Sequence, residues 1–162
     1  LSEEKGFIEL INDWPANEPL TIIGSGPLEE PIAVAAQSKG IAYESAVPIN
    51  VLRGNLAAHE GLVFPSRWIE VAPQVVVEAM RVGLPVIAFA ANGIAQLVTN
   101  TRTGLAYTDS QSLHTALENV RSDLAGYSSR ALAYYRRHWS PGIWVESMCR
   151  LYEEVLTGQA QG

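Results

Sequence analysis

Short apolar runs alternate along this chain with longer stretches of helical periodicity. Residues 20–23 form a β-rich run ended by Gly24-Ser25-Gly26-Pro27. Residues 29–38 then carry a helical pattern, and Gly40 follows at the position where a helix turns left-handed to stop. Residues 41–43 predict a weaker strand, 51–59 a short helix, and 62–64 (Leu-Val-Phe) a buried strand. Residues 74–82 predict a helix entered through Pro73 and stopped at Gly83. An apolar strand over 85–90, a short helix over 93–98 and a strand over 104–107 come next. Helices over 112–124, 126–137 and 143–156 complete the pattern.

Strands that are apolar on both faces and separated by helices belong in a parallel sheet covered on both sides. Right-handed crossovers make this a doubly wound α/β domain, in which ligands sit beyond the carboxyl ends of the strands. The segments to watch are therefore 24–27, 44–48, 65–75 and 90–96. There is no internal repeat and no low-complexity tract.

Composition narrows the choice. The 162 residues suffice for one domain, and with 48% apolar residues, 13 Gly and 9 Pro the chain is ordinary globular material. A net charge of −6, with no basic cluster longer than Arg136-Arg137, argues against nucleic-acid binding. Cys149 has no partner cysteine, so no internal disulfide forms and a reducing cytoplasm is the simplest compartment. Its late helical surroundings predict a packed structural thiol. The acidic opening has no signal-peptide character, and the longest apolar run, 84–91, contains a proline and is too short to cross a bilayer. The chain opens without a Met, in what reads as the middle of an element, and is expected to be a fragment.

The densest chemistry lies in residues 64–80. Glu70 falls in the loop between a strand and a helix, and Glu78 about one turn into that helix. The free N–H groups at the helix start, near Gln74, Val75 and Val76, favour an anion. A carboxylate beside them can accept a pair of vicinal hydroxyls, such as the 2′/3′ edge of a ribose. A structural account competes with this one: Glu78, flanked by Val-Val-Val and Ala-Met, could simply pair with Arg81 or Arg102. Gly24-Ser25-Gly26 lets a phosphate or sugar come close to the backbone, yet it also suits a tight turn into a helix. Lys5, before the amphipathic run of Phe7, Ile8, Leu10 and Ile11, opposes a helix macrodipole and so points weakly to an anionic partner. A solvated surface lysine explains it as well. His59, His114 and His138 have no metal-ligand spacing, and no metal site is expected. Ser66 has no G-x-S-x-G context and is read as a structural helper.

The order of LSEEKG, LTIIGSGPL, LVFPSRW with Glu70, Pro73 and a second Glu eight residues on, then EAMRVGLPVIA, resembles the retaining GT-B glycosyltransferases of family four (group 1). The likeness runs over nearly the whole chain and is to the C-terminal, nucleotide-binding half of the GT-B fold, a Rossmann-like parallel sheet with helices on both faces. It implies one nucleotide-sugar-binding domain over residues 1–157, lacking its first strand, with 158–162 a tail and the N-terminal acceptor domain outside this chain. By the same resemblance Glu78 would hold the ribose hydroxyls and Glu70 would orient the donor sugar. Amides at Val71, Ala72, Val75 and Val76 would lie near the sugar and diphosphate. Lys5 would match the lysine of an Arg/Lys pair that neutralises the departing diphosphate, its arginine falling before Leu1. Gly24 and Gly26 would lie at the donor, and the backbone around Val47 would hold the base. Ser45, Asn92-Gly93 and Gln96 depart from the family's usual Gly, Gly-Gly and Glu.

The implied function is retaining transfer from a nucleotide-diphosphate sugar, without metal or other cofactor, to an acceptor held by the N-terminal domain. Any peripheral membrane association would come through that domain, at the cytoplasmic face. Two readings compete: a sugar-nucleotide epimerase of the same fold, and a non-catalytic nucleotide-binding module. The terminal helix, with Trp144, Met148, Leu151, Tyr152 and Val155, is expected to reach toward the other domain and to be partly exposed in this chain alone.

Overall fold

A computed structural model describes residues 1–70, 73–91 and 93–157. A 3₁₀ turn, Glu3–Lys5, leads into α1 (Phe7–Asp13), and the chain then alternates strand and helix. The order is β1 (Thr21–Ile23), α2 (Glu29–Ser38), β2 (Ala42–Glu44), α3 (Ile49–Leu56), β3 (Leu62–Phe64), α4 (Gln74–Arg81), β4 (Val86–Phe89), α5 (Gly93–Asn100) and β5 (Gly104–Tyr107). Three helices follow: α6 (Ser110–Ser122), α7 (Leu124–His138) and α8 (Pro141–Leu156).

All strand pairs are parallel. β1 pairs with β2, and β4 lies between β3 and β5, with Leu62 opposite Val86 and Ile87 opposite Leu105. β4 shows why its sequence is apolar throughout. Val86 and Ala88 pack on one face against Val76, Ala79 and Met80 of α4 and Ile94 and Val98 of α5. Ile87 joins the opposite layer with Tyr107 of β5, Leu113 and Ala116 of α6, and Leu10 and Ile11 of α1. A side-chain period of two in a strand covered on both sides leaves no position for a polar residue. The second layer also takes in Ile22 of β1 and Ile32 and Ala36 of α2, so α1 and α6 tie the two sheet pieces together.

Element ends follow local chemistry. After α2, the Ile41 N–H donates to the Ala36 carbonyl at 2.9 Å and the Gly40 N–H to Gln37 at 3.1 Å. Gly40 has φ +69°, so this is a Schellman stop. α6 begins at Ser110, two residues before the predicted start, because the Asp109 carboxylate accepts from the Ser112 N–H at 2.8 Å while the Ser112 hydroxyl accepts from the Asp109 N–H at 3.0 Å. That reciprocal cap and the Thr108 hydroxyl hold the Asp109 carboxyl below its usual range. β2 lies one residue later than predicted and α3 starts two residues earlier.

α8 buries none of its residues, and Trp144, Leu151, Tyr152 and Val155 are exposed, as the sequence led us to expect. Cys149 corrects an expectation: it is exposed and not packed, on a helix that packs chiefly against α7 and buries none of its residues. No helix of the described residues is long and apolar enough to cross a membrane. The predicted tail, 158–162, lies outside the described residues.

Candidate functional site

β3 ends in a run of three buried residues, Phe64, Pro65 and Ser66, which anchors the loop toward α4. The 3₁₀ turn is clamped onto that loop. The Arg67 N–H donates to the Glu4 carbonyl at 2.9 Å, and Gly6, with φ +67°, presses its Cα against the Pro65 carbonyl, where a Cβ would collide. Glycine is needed there on both counts. Lys5 therefore does not start α1 as expected; it ends the turn before it, and its side chain is aimed across the sheet edge.

The Lys5 ammonium donates to Glu70 Oε1, and the Ser66 hydroxyl donates to the same oxygen at 3.1 Å. The Glu70 side chain is 18% exposed and that of Lys5 40%. The anion that Lys5 meets is thus Glu70 itself, 65 residues away in sequence. Ser66, 1% exposed, donates its hydroxyl hydrogen to the Glu70 carboxylate. The neighbouring Arg67 is turned away, its guanidinium 4.4 Å from the centre of the Phe89 ring and 3.6 Å from Glu9.

Glu78 sits one turn into α4 with its side chain 12% exposed. Its partner is Arg53 of α3, which donates from Nη2 at 2.8 Å and from Nε at 3.2 Å, one bond to each carboxylate oxygen. Neither Arg81 nor Arg102 fills that role, because the face of α4 that carries Glu78 looks at α3. Arg81 points to solvent, and the Arg102 carbonyl is tied to Arg130. The fork to Glu78 raises the Arg53 guanidinium above its ordinary value. Arg53 was missed in the sequence, where 25 residues separate the pair.

At the start of α4 the Val76 N–H already donates to the Pro73 carbonyl at 3.0 Å, and its side chain is fully buried. Gln74 and Val75 remain as the first-turn amides without an intrahelical acceptor. Val71 and Ala72, and Asn92 of the Asn92-Gly93 pair, lie outside the described residues. The glycine loop packs against Leu1: the Leu28 N–H donates to the Leu1 carbonyl at 3.1 Å, the Leu1 amine donates to Ser25, and a side chain at Gly26 would run into the Leu1 backbone. Val47, half-buried, follows β2 in a loop where the Ser45 hydroxyl donates to Glu29 at 2.8 Å and holds that carboxyl below its usual range.

One cavity of about 1160 Å³ gathers part of this set. Lys5, Gly24, Ser66, Glu70 and Val75 line it, while Glu78, Gly26, Val47 and Val76 do not. The arrangement offers an ammonium, a carboxylate and the positive end of a helix at the carboxyl edge of a parallel sheet. Those groups suit a ligand that carries both phosphate and hydroxyls.

The sequence matches the family described as glycosyl transferases group 1 over residues 1–123. Sucrose-phosphate synthase from Thermosynechococcus elongatus superposes with a TM-score of 0.79 at 23% identity, over 97% of this chain and 44% of that one. Anabaena HepE in complex with UDP-glucose superposes at 0.77 and 23% identity, over 98% and 46%. WaaG, a glycosyltransferase involved in lipopolysaccharide biosynthesis, superposes at 0.67 and 23%, over 84% and 40%. No curated protein gives a significant match. The fold is the Rossmann-like domain of a GT-B architecture, and the chain belongs to the group 1 glycosyl transferases. It spans less than half the length of the solved structures it resembles.

Proposed function

We propose that this chain is the donor domain of a retaining glycosyltransferase, spanning residues 1–157 and holding a nucleoside diphosphate sugar at the carboxyl edge of β3. The observation that carries the reading is the Lys5–Glu70–Ser66 cluster, which opens on the cavity beside the first turn of α4. That HepE was crystallised with UDP and with UDP-glucose supports the ligand class. Lys5 and the amides of Gln74 and Val75 stabilise the negative charge that develops on the departing diphosphate, fixed in place before the bond breaks. Glu70 accepts from a donor-sugar hydroxyl, and Glu78, steadied by Arg53, accepts from the ribose. Val71, Ala72, Gly24, Gly26 and Val47 complete the donor contacts through their backbone, as does Val76 through the turn it buries. No metal takes part. The acceptor is held by a separate N-terminal domain, and the enzyme works in the cytoplasm.

Calorimetric titration with UDP, GDP and ADP tests this reading. One of the three binds, and Glu78→Ala lowers its affinity by roughly 10- to 150-fold, the worth of a charge-assisted hydrogen bond of about 1.5–3 kcal/mol. A folded protein that gives no heat with any nucleotide, or a Glu78→Ala variant that binds as the parent does, would show the reading to be wrong. Turnover of a sugar nucleotide by this chain alone would contradict the assignment of the acceptor site to another domain.

A further inference from the structure

Two large apolar side chains stand exposed beside the site. Trp68 is 64% exposed and Ile69 77%, whereas Phe64, Pro65 and Ser66 before them are buried and the Glu70 side chain after them is 18% exposed. The loop that carries them is pinned on both sides. The chain bends at Trp68, and the Ser66 hydroxyl closes the bend by donating to Glu70 Oε1 at 3.1 Å. Before the apex, the Arg67 N–H donates to the Glu4 carbonyl at 2.9 Å and its guanidinium lies 4.4 Å from the centre of the Phe89 ring. After it, Lys5 holds the Glu70 carboxylate. Presenting an indole and a branched alkyl group on a fixed bend forgoes the stabilisation that burial gives, which a bound partner restores.

The surroundings of the apex select that partner. A patch of two side chains is far below the roughly 800 Å² per partner of a stable protein interface. An anionic lipid surface finds little to hold, because the chain carries a net charge of −6 and the adjacent cation, Arg67, already faces Glu9 at 3.6 Å. A pyranose fits both parts of the bend. Its C–H groups form an apolar face that lies on the electron-rich face of an indole, and its hydroxyls donate to a carboxylate or accept from the indole N–H. Trp68 and Glu70 are two residues apart, a backbone span of at most about 7 Å, which is roughly one pyranose ring. Glu70 lines the cavity and Trp68 does not. With the donor sugar on Glu70, the ring that reaches Trp68 is therefore the next one.

We infer that Trp68, flanked by Ile69, is a stacking platform for a sugar ring of the acceptor. This domain then contributes one wall of the acceptor site, and the acceptor is a saccharide. The assignment of that ring to the acceptor rests on the donor-domain reading above. Trp68 touches no reacting atom in this role; it selects and orients the ring that receives the transfer.

Nitrogen–proton NMR of this chain, titrated separately with maltose, lactose and methyl α-mannoside in the presence and absence of UDP, GDP or ADP, tests the inference. The Trp68 indole N–H signal is identified by its loss in Trp68→Phe. It should shift on addition of at least one of the sugars. Trp68→Ala should weaken that binding about tenfold, and Trp68→Phe should keep most of it. Both variants should bind nucleotide as the parent does and retain its circular dichroism, since the indole is mostly exposed. No response of that indole to any of the sugars overturns the inference, as does sugar binding that Trp68→Ala leaves unchanged. Binding to vesicles of equal parts phosphatidylglycerol and phosphatidylcholine that Trp68→Ala abolishes overturns it in favour of a lipid surface. An indole signal that moves with protein concentration alone overturns it in favour of a second copy. Nucleotide binding without a sugar response sinks the platform alone, whereas a sugar response without nucleotide binding sinks the donor-domain reading and with it the assignment to the acceptor.

Discussion

Replacing Gly6 by alanine should destabilise the protein far more than the same change at Gly40, although the two glycines have nearly the same backbone, with φ +67° and +69°. An L-residue held in the left-handed region costs about 1–2 kcal/mol. The lower entropy of the unfolded alanine chain returns about 0.4–1 kcal/mol of stability as judged from the cost side, so Gly40→Ala loses about 1 kcal/mol. Nothing lies within 4 Å of a Cβ at Gly40. At Gly6 the new methyl meets the Pro65 carbonyl oxygen, a backbone atom anchored between buried Phe64 and Ser66 that has no rotamer to escape into. Forced overlap of that kind adds about 1–3 kcal/mol, for a total of about 2–4 kcal/mol. With a urea m-value near 2 kcal/mol/M, the midpoint falls by about 0.5 M for Gly40→Ala and about 1–2 M for Gly6→Ala. Urea denaturation followed by circular dichroism measures both. Equal midpoints for the two variants would refute the argument that the Lys5 turn is locked onto the loop after β3.

Arg53→Ala should leave fold stability nearly unchanged, since the arginine is half exposed and its ion pair is screened by water. It should nevertheless weaken nucleotide binding several-fold in the same titration, because Glu78 loses the fork that orients it. Tighter binding by the variant would mean that Arg53 competes with the ribose. The Glu18 carboxyl is held below its ordinary range by the hydrogen bonds from Arg121. A lowered folded value means stabilisation that is present above the unfolded carboxylate range, near pH 4.3, and lost as pH falls through the folded value. The stability difference between the parent and Arg121→Ala should thus be present at pH 6, amount to less than about 1 kcal/mol, and vanish by the lowest pH at which the fold survives. A difference that persists in acid would mean that Arg121 acts by packing and not by its charge.

The strands were readable because burial on both faces leaves a simple mark. Val86, Ile87 and Ala88 could not be polar in any register, and β3 matched its predicted bounds. The stops at Gly40 and Gly83 were readable for a local reason, since a left-handed residue must follow each helix. Starts were less so: Asp109 caps α6 with Ser112 in place of the usual Glu or Gln, and nothing in the apolar period reveals that. β2 was weak in sequence because its burial alternates between exposed and half-buried, the pattern of an outer strand. In the site, Glu70 and Glu78 stood out as carboxylates near a helix start, but their partners depended on tertiary geometry. Lys5 reaches Glu70 because Gly6 folds the turn onto Pro65, and Arg53 and Glu78 meet across two helices that the sequence keeps 25 residues apart. The exposed thiol of Cys149 was misread for the same reason: amphipathic periodicity shows which face a helix would bury, not whether a surface is there to receive it.

On the proposed reading, the bond between Lys5 and Glu70 would also act as a filter. A ligand that enters must break it, and Glu70, largely shielded from solvent, is costly to leave without a donor. Inorganic phosphate would satisfy the ammonium but strand the carboxylate; a free sugar would satisfy the carboxylate but strand the ammonium. A molecule that presents an anion and a sugar hydroxyl together would recover both partners, and a nucleoside diphosphate without the sugar would recover only the first. On the proposed reading, the site would discriminate by the chemistry of its ligand and not by a steric barrier.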